Sequence, residues 1–469
     1  MKSKIVPALL LLMSLALSLQ AQQQPDSKAK AEGPMSLEEC LEYAFVNSEN
    51  IKNAKLDIQI ARADVGVTKS QGLPQIDASV TYTNNFAVPT VYLPAEASGM
   101  FSGNGNGGQT PSDEEVAIRF GIKHQSNATV NASQMIFDGS YFVGLKAAKV
   151  YSDLTQKDYL LTKSNIAEQV SKAYYTALVN QERSIDLRNN YSRLDTLLRE
   201  TTLMFENGFA EKIDVDRIKV QYNNAKAQYN KAKRMAEVSM FMLKFQMGMP
   251  INAPLELSES LSAIEGEWEV NGKDEFEYGN RLEFAKLQVN KELVQLDIRN
   301  NKVQYIPKIT ATANFGYNNG ADDLRRLTDL SRWNELGSWG LNMSIPIFDG
   351  LRKHNLIQKN KLQLQQLEHS TSQLKNNIDL EIVQAEVDLE SSLETLEVQR
   401  ENLELAEEVF RVTKIKYQEG VGSNIEVTEA QYALEQAETN YYSALYDALI
   451  AKVELKKALG ILIQDQESN

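Results

Sequence analysis

Cysteine is almost absent from this chain of 469 residues, since Cys40 is the only one and no disulfide can form within the chain. Histidine is nearly as scarce, and His124, His354 and His369 lie far apart in the sequence. Neither a zinc site nor a catalytic thiol is therefore expected. We predict a chain that is stabilised by packing, has no cofactor or metal and is not an enzyme.

Long apolar runs are missing beyond the N-terminus, where no segment reaches the ~18 consecutive apolar residues that a membrane helix needs. The one apolar run, residues 5–19, follows Lys2 and Lys4 and precedes a small-residue cleavage site at Ala21. That order is typical of a secretory signal peptide, which we predict over residues 1–21, followed by a flexible segment over residues 22–35. An exported chain without spanning helices is either soluble in the periplasm or inserted as β-strands.

Positive charge is under-represented, with 49 Lys and Arg against 63 Asp and Glu and a net charge of −14. Removal of the signal peptide takes two lysines with it, which makes the mature chain more acidic still. This excess of acid argues against a nucleic-acid partner, which would require a basic face. It permits a pore that favours cations.

Motifs recur in order and nearly in register, which indicates a tandem repeat. Phe137-Asp138-Gly139 returns as Phe348-Asp349-Gly350, and Phe205-Glu206-Asn207-Gly208 returns as Tyr417-Gln418-Glu419-Gly420. Each half reads helix, strand, strand, very long helix, helix. The repeats are predicted over residues 36–250 and 275–462, with an equatorial linker at 251–274 and a C-terminal tail at 463–469.

The helices are predicted from capping and from the absence of helix breakers. A capping box at Ser36 begins a first helix that is expected to run to about Ser70, and its counterpart is expected over residues 275–304. Neither Gly nor Pro occurs in residues 145–207 or 351–419, so these stretches predict helices on the order of 100 Å long. Helices of that length are expected to form a coiled coil.

Heptad spacing supports the coiled coil. One apolar series contains Ile382, Leu389, Leu396, Leu403 and Phe410, and an alanine series contains Ala430, Ala437, Ala444, Ala451 and Ala458. Alanine at these positions predicts close helix approach. Residues 381–410 carry ten acidic residues and one basic residue, which indicates either a solvated face or the lining of an aqueous interior.

Four segments alternate apolar and polar residues over about ten positions, the length and pattern of a transmembrane β-strand. A soluble antiparallel sheet alternates in the same way, but long polar loops at residues 84–115 and 318–338 favour an outer-membrane barrel. Four strands cannot close a barrel, for which about eight is the minimum, so several chains must contribute. The pattern does not choose between two and three chains. The segments are residues 76–83, 127–137, 309–317 and 339–347.

The tandem plan and the run from Gly420 to Gln431 resemble the TolC family of outer-membrane efflux channels. The resemblance covers nearly the whole mature chain. It implies a mainly α protein with a small membrane β-barrel portion: a homotrimer whose twelve strands close a barrel above a periplasmic helical tunnel. It also implies a passive exit duct for small molecules, partnered by a periplasmic adaptor and an inner-membrane pump. Type I protein secretion, or a soluble periplasmic scaffold, are the alternatives.

The same resemblance implies functional residues at the ends of the long helices. Glu426 and Glu429 fall six and nine residues after the tip glycine, where the family carries the acidic rings of its periplasmic gate. A family gate arginine is replaced by Gly422, so that cross-link is either weaker or supplied by Lys212 or Arg217. The expected adaptor-docking tips are Gly208, Phe209, Ala210, Gly420, Val421 and Gly422.

Overall fold

The computed structural model describes residues 33–93, 116–119, 121–264, 268, 270 and 276–463. The predicted signal peptide, most of the predicted flexible segment, most of the first long loop, part of the predicted linker and all but the first residue of the predicted C-terminal tail lie outside these residues. The described residues divide into a sheet unit, within residues 54–161 and 276–381, and a helical unit, which comprises the described residues of 33–53, 162–270 and 382–463. Among the described helices, none is both long enough and apolar enough to span a membrane.

The secondary structure follows the predicted tandem order. The strands are β1 (Pro34–Met35), β2 (Gln75–Asn84), β3 (Thr90–Leu93), β4 (Val116–Arg119), β5 (His124–Phe137), β6 (Glu256–Leu257), β7 (Lys308–Ala321) and β8 (Asn334–Ser344). The helices are α1 (Leu37–Asn47), α2 (Glu49–Ser70), α3 (Gly139–Glu206), α4 (Lys212–Met247), α5 (Leu261–Ile264), α6 (Leu282–Val303), α7 (Arg352–Gln418) and α8 (Asn424–Ala458).

The four long strands form one antiparallel sheet in the order β2-β5-β7-β8. Cross-strand register gives the sheet one apolar and one polar face. Ile76, Ala132, Ala313 and Trp339 form one row across it, and Asp77, Asn131, Asn314 and Ser338 form the adjacent row on the opposite face. The apolar face is solvent-exposed in the single chain, with Val80 and Trp339 each more than four-fifths exposed.

Three strand and loop predictions were wrong in detail. The strand expected to reach Ile347 ends at Ser344, because Pro346 has no N–H to donate to a neighbouring strand. The loop predicted over residues 84–115 contains a further strand, β3, which pairs with β4 just beyond the loop. Its Thr-Val-Tyr-Leu sequence is rich in the β-branched and aromatic residues that favour strands. The second loop is shorter than predicted, since β7 continues to Ala321.

The first helix was predicted as continuous but breaks at Ser48, whose φ of −59° and ψ of 129° lie outside the helical region. The Asn47 side chain donates to the Tyr43 carbonyl, and the Ser48 carbonyl accepts from the Lys52 N–H. An Asn side chain that bonds to the backbone in this way competes with the helical hydrogen bonds and so favours a helix end. The capping box at Ser36 is confirmed. The counterpart helix starts at Leu282, after a 3₁₀ turn at Tyr278–Asn280, rather than at 275.

The two very long helices are confirmed, with 68 residues in α3 and 67 in α7. In the helical unit, all five heptad alanines of α8 are buried. Polar contacts join α8 to α3: Lys457 to Glu168, Glu454 to Lys172, and Gln431 to Asn190. Residue numbers rise along α8 as they fall along α3, so the two helices pack antiparallel.

Candidate functional site

The two helix-turn-helix tips have the same backbone geometry. At the first tip, Gly208 has a positive φ of 79°, and the Phe209 N–H donates to the Met204 carbonyl. At the second tip, Gly420 has a φ of 75°, and the Val421 N–H donates to the Lys416 carbonyl. Both are Schellman motifs, in which a left-handed glycine ends the helix. The glycine spacing that indicated the repeat therefore reflects the same turn geometry in both halves of the chain.

Each tip exposes an apolar side chain. Phe209 is 83% exposed and Val421 is 79% exposed, while Ala210 is half-buried. Beneath them, a buried cluster is shared by all four helices of the helical unit that reach the tips. It contains Leu194, Leu197, Ile218, Ala225, Phe410, Val427, Ala430 and Leu434. The tips are thus apolar surfaces on a packed base.

Glu426 and Glu429 lie on the exposed side of the first two turns of α8. The Ser423 hydroxyl caps this helix by accepting from the Glu426 N–H at 3.2 Å. Val427 and Ala430, each one residue further on, are buried and fix the rotation of α8. The two carboxylates therefore share a solvent-facing side of the helix, one turn apart.

The counterpart of Glu426 in the first repeat, Asp214, has a different environment. Its side-chain carboxylate and backbone carbonyl both accept from the Asn424 amide at 3.1 Å. Asn424 is itself buried. This contact joins the starts of α4 and α8, and sequence reasoning missed it because Asn424 reads as an ordinary capping residue. The sequence does not show that the two helix-turn-helix tips lie side by side, and this is what the Asn424–Asp214 contact depends on.

Gly422 is packed closely enough to explain the absence of a side chain there. A Cβ at this position would lie 3.0 Å from the Lys416 Cβ and the Tyr417 nitrogen, and the Gly422 N–H donates to the Lys416 carbonyl. Lys212 and Arg217, the suggested substitutes for the family arginine, are exposed. Neither has an ionic partner among the described residues.

A buried polar cluster lies further from the tips, between α3 and α8. The Tyr442 hydroxyl donates to Asp186, and Arg193 pairs with Glu438 at 3.3 Å. The pKa of Glu438 is raised to about 7, chiefly by burial; Arg193 opposes this rise, and nearby Asp186 and Glu407 contribute to it. The second Glu438 oxygen and the Arg193 Nε have no hydrogen-bond partner. The heptad reading placed helices here but did not identify this cluster.

The polar face of the sheet carries a ladder of side-chain hydrogen bonds. Asn131 donates to Asp77 at 3.1 Å, Ser79 contacts Thr129 at 2.9 Å, and Asn314 donates to Ser338 at 2.8 Å. These groups offer a hydrated, mainly neutral surface with one carboxylate. Such a surface suits the lining of an aqueous passage rather than a catalytic centre.

Groups suited to metal or thiol chemistry are not brought together. Within the described residues, no three or more His, Cys, Asp or Glu side chains are placed to hold a metal ion. Cys40 is fully buried, and this burial raises the pKa of its thiol to about 12. A thiol with that pKa is protonated at neutral pH and is a poor nucleophile.

Comparison with known proteins agrees with this geometry. The family model described as "Outer membrane efflux protein" matches residues 41–248 and 278–461. "Outer membrane protein TolC" of Vibrio cholerae is 19% identical over 72% of this chain and 77% of its own length. "Pyoverdine export outer membrane protein OpmQ" of Pseudomonas aeruginosa is 21% identical over 92% and 86%.

A solved structure shows the same fold. The outer membrane protein VceC of Vibrio cholerae superposes with a TM-score of 0.66 at 14% identity, covering 90% of this chain and 96% of its own. The predicted fold, mainly helical with a small four-stranded sheet in each chain, is thereby confirmed.

Proposed function

This chain belongs to the outer membrane efflux protein family, and from that premise we propose that it is the passive exit duct of a tripartite efflux assembly. Family membership places it in the outer membrane, with long periplasmic helices, and so disfavours the soluble scaffold. The duct would carry out no chemistry, and an inner-membrane pump would supply the energy. The observation that carries the proposal is the two-faced sheet with open edges.

The sheet edges favour assembly of several copies. In the described part of the chain, β2 pairs only with β5, and β8 pairs only with β7. Unpaired strand edges are not tolerated in a bilayer, so β8 of one copy would pair with β2 of the next until the ring closes. Three copies would give twelve strands and leave a lumen, whereas eight-stranded barrels are filled by side chains.

The charges on α4 and α7, in the helical unit, also favour a closed ring of copies. The α4 helix carries eight basic and three acidic residues, whereas residues 381–410 of α7 carry ten acidic residues and one basic residue. Both stretches extend about equally far from their tip glycines, Gly208 and Gly420. Because α3 and α8 pack together within one chain, α4 and α7 are the elements available to a neighbour. Opposite charges on them favour a head-to-tail contact.

Exposed apolar side chains accompany these charges. On α4 they are Ile213, Val220, Met235, Val238, Phe241, Met242 and Phe245, and on residues 381–410 of α7 they are Val383, Val387, Val398, Leu405 and Val409. Apolar surface of this extent on a folded chain is typical of an interface with another protein. We assign it to the contact between copies.

The tips and the acids beside them complete the proposed duct. Phe209 and Val421 would dock a helical hairpin of a periplasmic adaptor, and three copies of Glu426 and Glu429 would surround the periplasmic constriction. Six carboxylates around one opening would attract cations. The relative OpmQ is named for pyoverdine export, which supports a small molecule rather than a protein as cargo.

Two measurements test the proposal, one on protein extracted from outer membranes and one on cells. Light scattering is expected to give the mass of three copies after correction for detergent. Cells that lack the chain are expected to accumulate a fluorescent dye that cells with the restored chain export. A monomeric mass, or dye export unaffected by loss of the chain, would contradict the duct.

A further inference from the structure

A basic groove lies in the sheet unit between α3 and α6. It has a volume of about 430 Å³ and is lined by Lys146, Gln288, Lys291, Glu292, Gln295, Leu296 and Arg299. Lys146 pairs with Glu292 at 3.1 Å. Among the described residues, Lys291 and Arg299 have no acidic partner, so the groove holds two uncompensated cations.

The groove lies directly below the strands. The backbone at Gly139, where α3 begins, approaches Val303 at the end of α6, and a Cβ on Gly139 would be 3.0 Å from the Val303 Cβ. Lys146 is seven residues into α3, roughly 10 Å from its start, and Arg299 is about 6 Å from the end of α6. A buried cluster of Val143, Val150 and Leu296 holds the two helices together.

The side of the molecule on which the groove opens follows from a chain of contacts. Phe137 pairs with Ile309, which belongs to the apolar face of the sheet. The Phe137 ring lies 6.2 Å from the ring of Phe142, which is more than half exposed. Lys146 is four residues beyond Phe142 and so occupies the same side of α3. The groove therefore continues the apolar, lipid-directed face.

The order from strand to helix is apolar surface, aromatic residues, then cations. Tyr141 and Phe142 pack edge to face at the strand base, and aromatic residues of this kind mark the membrane–water interface. The headgroup layer is about 5–8 Å thick on each side of the hydrocarbon core. Long Lys and Arg side chains reach into that layer from below.

We infer that this groove binds the phosphate of an anionic phospholipid in the periplasmic leaflet of the outer membrane, with Arg299 as the phosphate ligand. Arg299 offers a planar fork of donors to the phosphate oxygens. Lys291 lies about 18 Å from the end of α6, so it adds positive potential from the deeper part of the groove rather than a direct contact. Gln288 and Gln295 supply neutral donors on the same face of α6. The inference rests on the outer-membrane location and does not depend on the proposed gate.

The test is native mass spectrometry of the delipidated, full-length assembly titrated with phosphatidylglycerol, with phosphatidylcholine for comparison. Wild type is expected to bind phosphatidylglycerol preferentially. Lys291→Gln plus Arg299→Gln is expected to weaken phosphatidylglycerol binding roughly 5- to 30-fold, because each lost cation near the headgroups is worth a factor of about five and Lys291 is the more distant of the two. The control is Lys359→Gln plus Lys361→Gln, both exposed. Lys359 lies as far into α7 as Lys146 lies into α3.

Each alternative result has a distinct meaning. Equal losses in the control would show that general basic charge attracts the lipid and would overturn the assigned groove, as would unchanged affinity in the groove variant. Displacement of the lipid by millimolar inorganic phosphate would show a free-phosphate site instead. If the double variant does not assemble, Arg299→Gln alone is expected to weaken binding several-fold. Channel activity in a protein that binds no lipid would contradict the lipid-binding role of the groove without contradicting the proposed duct.

Discussion

At the scale of single residues, Glu438 carries a carboxylate that burial holds away from water, between α8 and α3. Its pKa is raised above the ordinary value of 4.5 to about 7. The folded chain therefore binds more protons than the unfolded chain between these two values. This contribution to stability is fully present below pH 4.5 and is lost as pH rises through 7.

Thermal stability is expected to fall between pH 5 and pH 8 through this group, by up to about 2–3 kcal/mol per chain. Glu438→Gln removes the titration, so its melting temperature should depend less on pH and exceed that of wild type at pH 8. Glu404→Gln, at an exposed position on α7, is the control. Identical pH slopes for wild type and Glu438→Gln would contradict the assignment.

Gly422 makes a second prediction at this scale. Because a Cβ there would crowd Lys416 and Tyr417, Gly422→Ala is expected to loosen the tip by about 1 kcal/mol. Hydrogen exchange should then be faster at the Val421 and Gly422 amides. Gly66→Ala is the matched control, since no atom lies within 4 Å of its added Cβ and alanine favours a helix. Equal protection in Gly422→Ala and wild type would refute the close packing.

At the scale of elements, the heptad alanine series of α8 is the feature most sensitive to side-chain volume, because α8 packs closely against α3 there. Ala448 is fully buried. Ala448→Leu is expected to destabilise the assembled protein by about 1–3 kcal/mol through overpacking, measured as a lower melting temperature. Ala433→Leu places the same change on an exposed position of α8 and should be nearly neutral. Similar melting temperatures for the two variants would argue against a close helix approach.

Most elements could be predicted because their signals are local. Absence of Gly and Pro predicted α3 and α7, and alternation predicted the four long strands. The break at Ser48 was missed because the apolar spacing continues across it, although the Asn47 side chain competes for the backbone there. The strand end at Ser344 was missed because the alternation runs past Pro346.

The candidate site was less accessible to sequence reasoning. The tip glycines were found because positive φ restricts the residue type. The Asn424–Asp214 contact and the Glu438 cluster join residues more than 200 positions apart, and heptad spacing does not specify which polar groups face each other across a seam. The roles of Glu426 and Glu429 stay predictions, because they concern contacts between copies.

At the scale of the whole molecule, opposite charges on α4 and α7 are expected to hold neighbouring copies together. Lys231→Glu plus Lys233→Glu should weaken the trimer at low salt, measured by its dissociation in detergent, and high salt should reduce the difference from wild type. Arg188→Glu plus Arg199→Glu makes the same charge change on α3 and should have little effect. Equal dissociation in both variants would indicate a general charge effect instead.

The central claim, a passive duct with an acidic periplasmic gate, is tested most directly by single-channel conductance in planar bilayers. Wild type is expected to show a small, cation-preferring conductance. Glu426→Ala plus Glu429→Ala should lose selectivity or conduct more, while Glu38→Ala plus Glu42→Ala, which removes the same charge from α1, should match wild type. A conductance unchanged by the first pair would place the gate elsewhere, and correctly assembled protein without any conductance would contradict the duct itself.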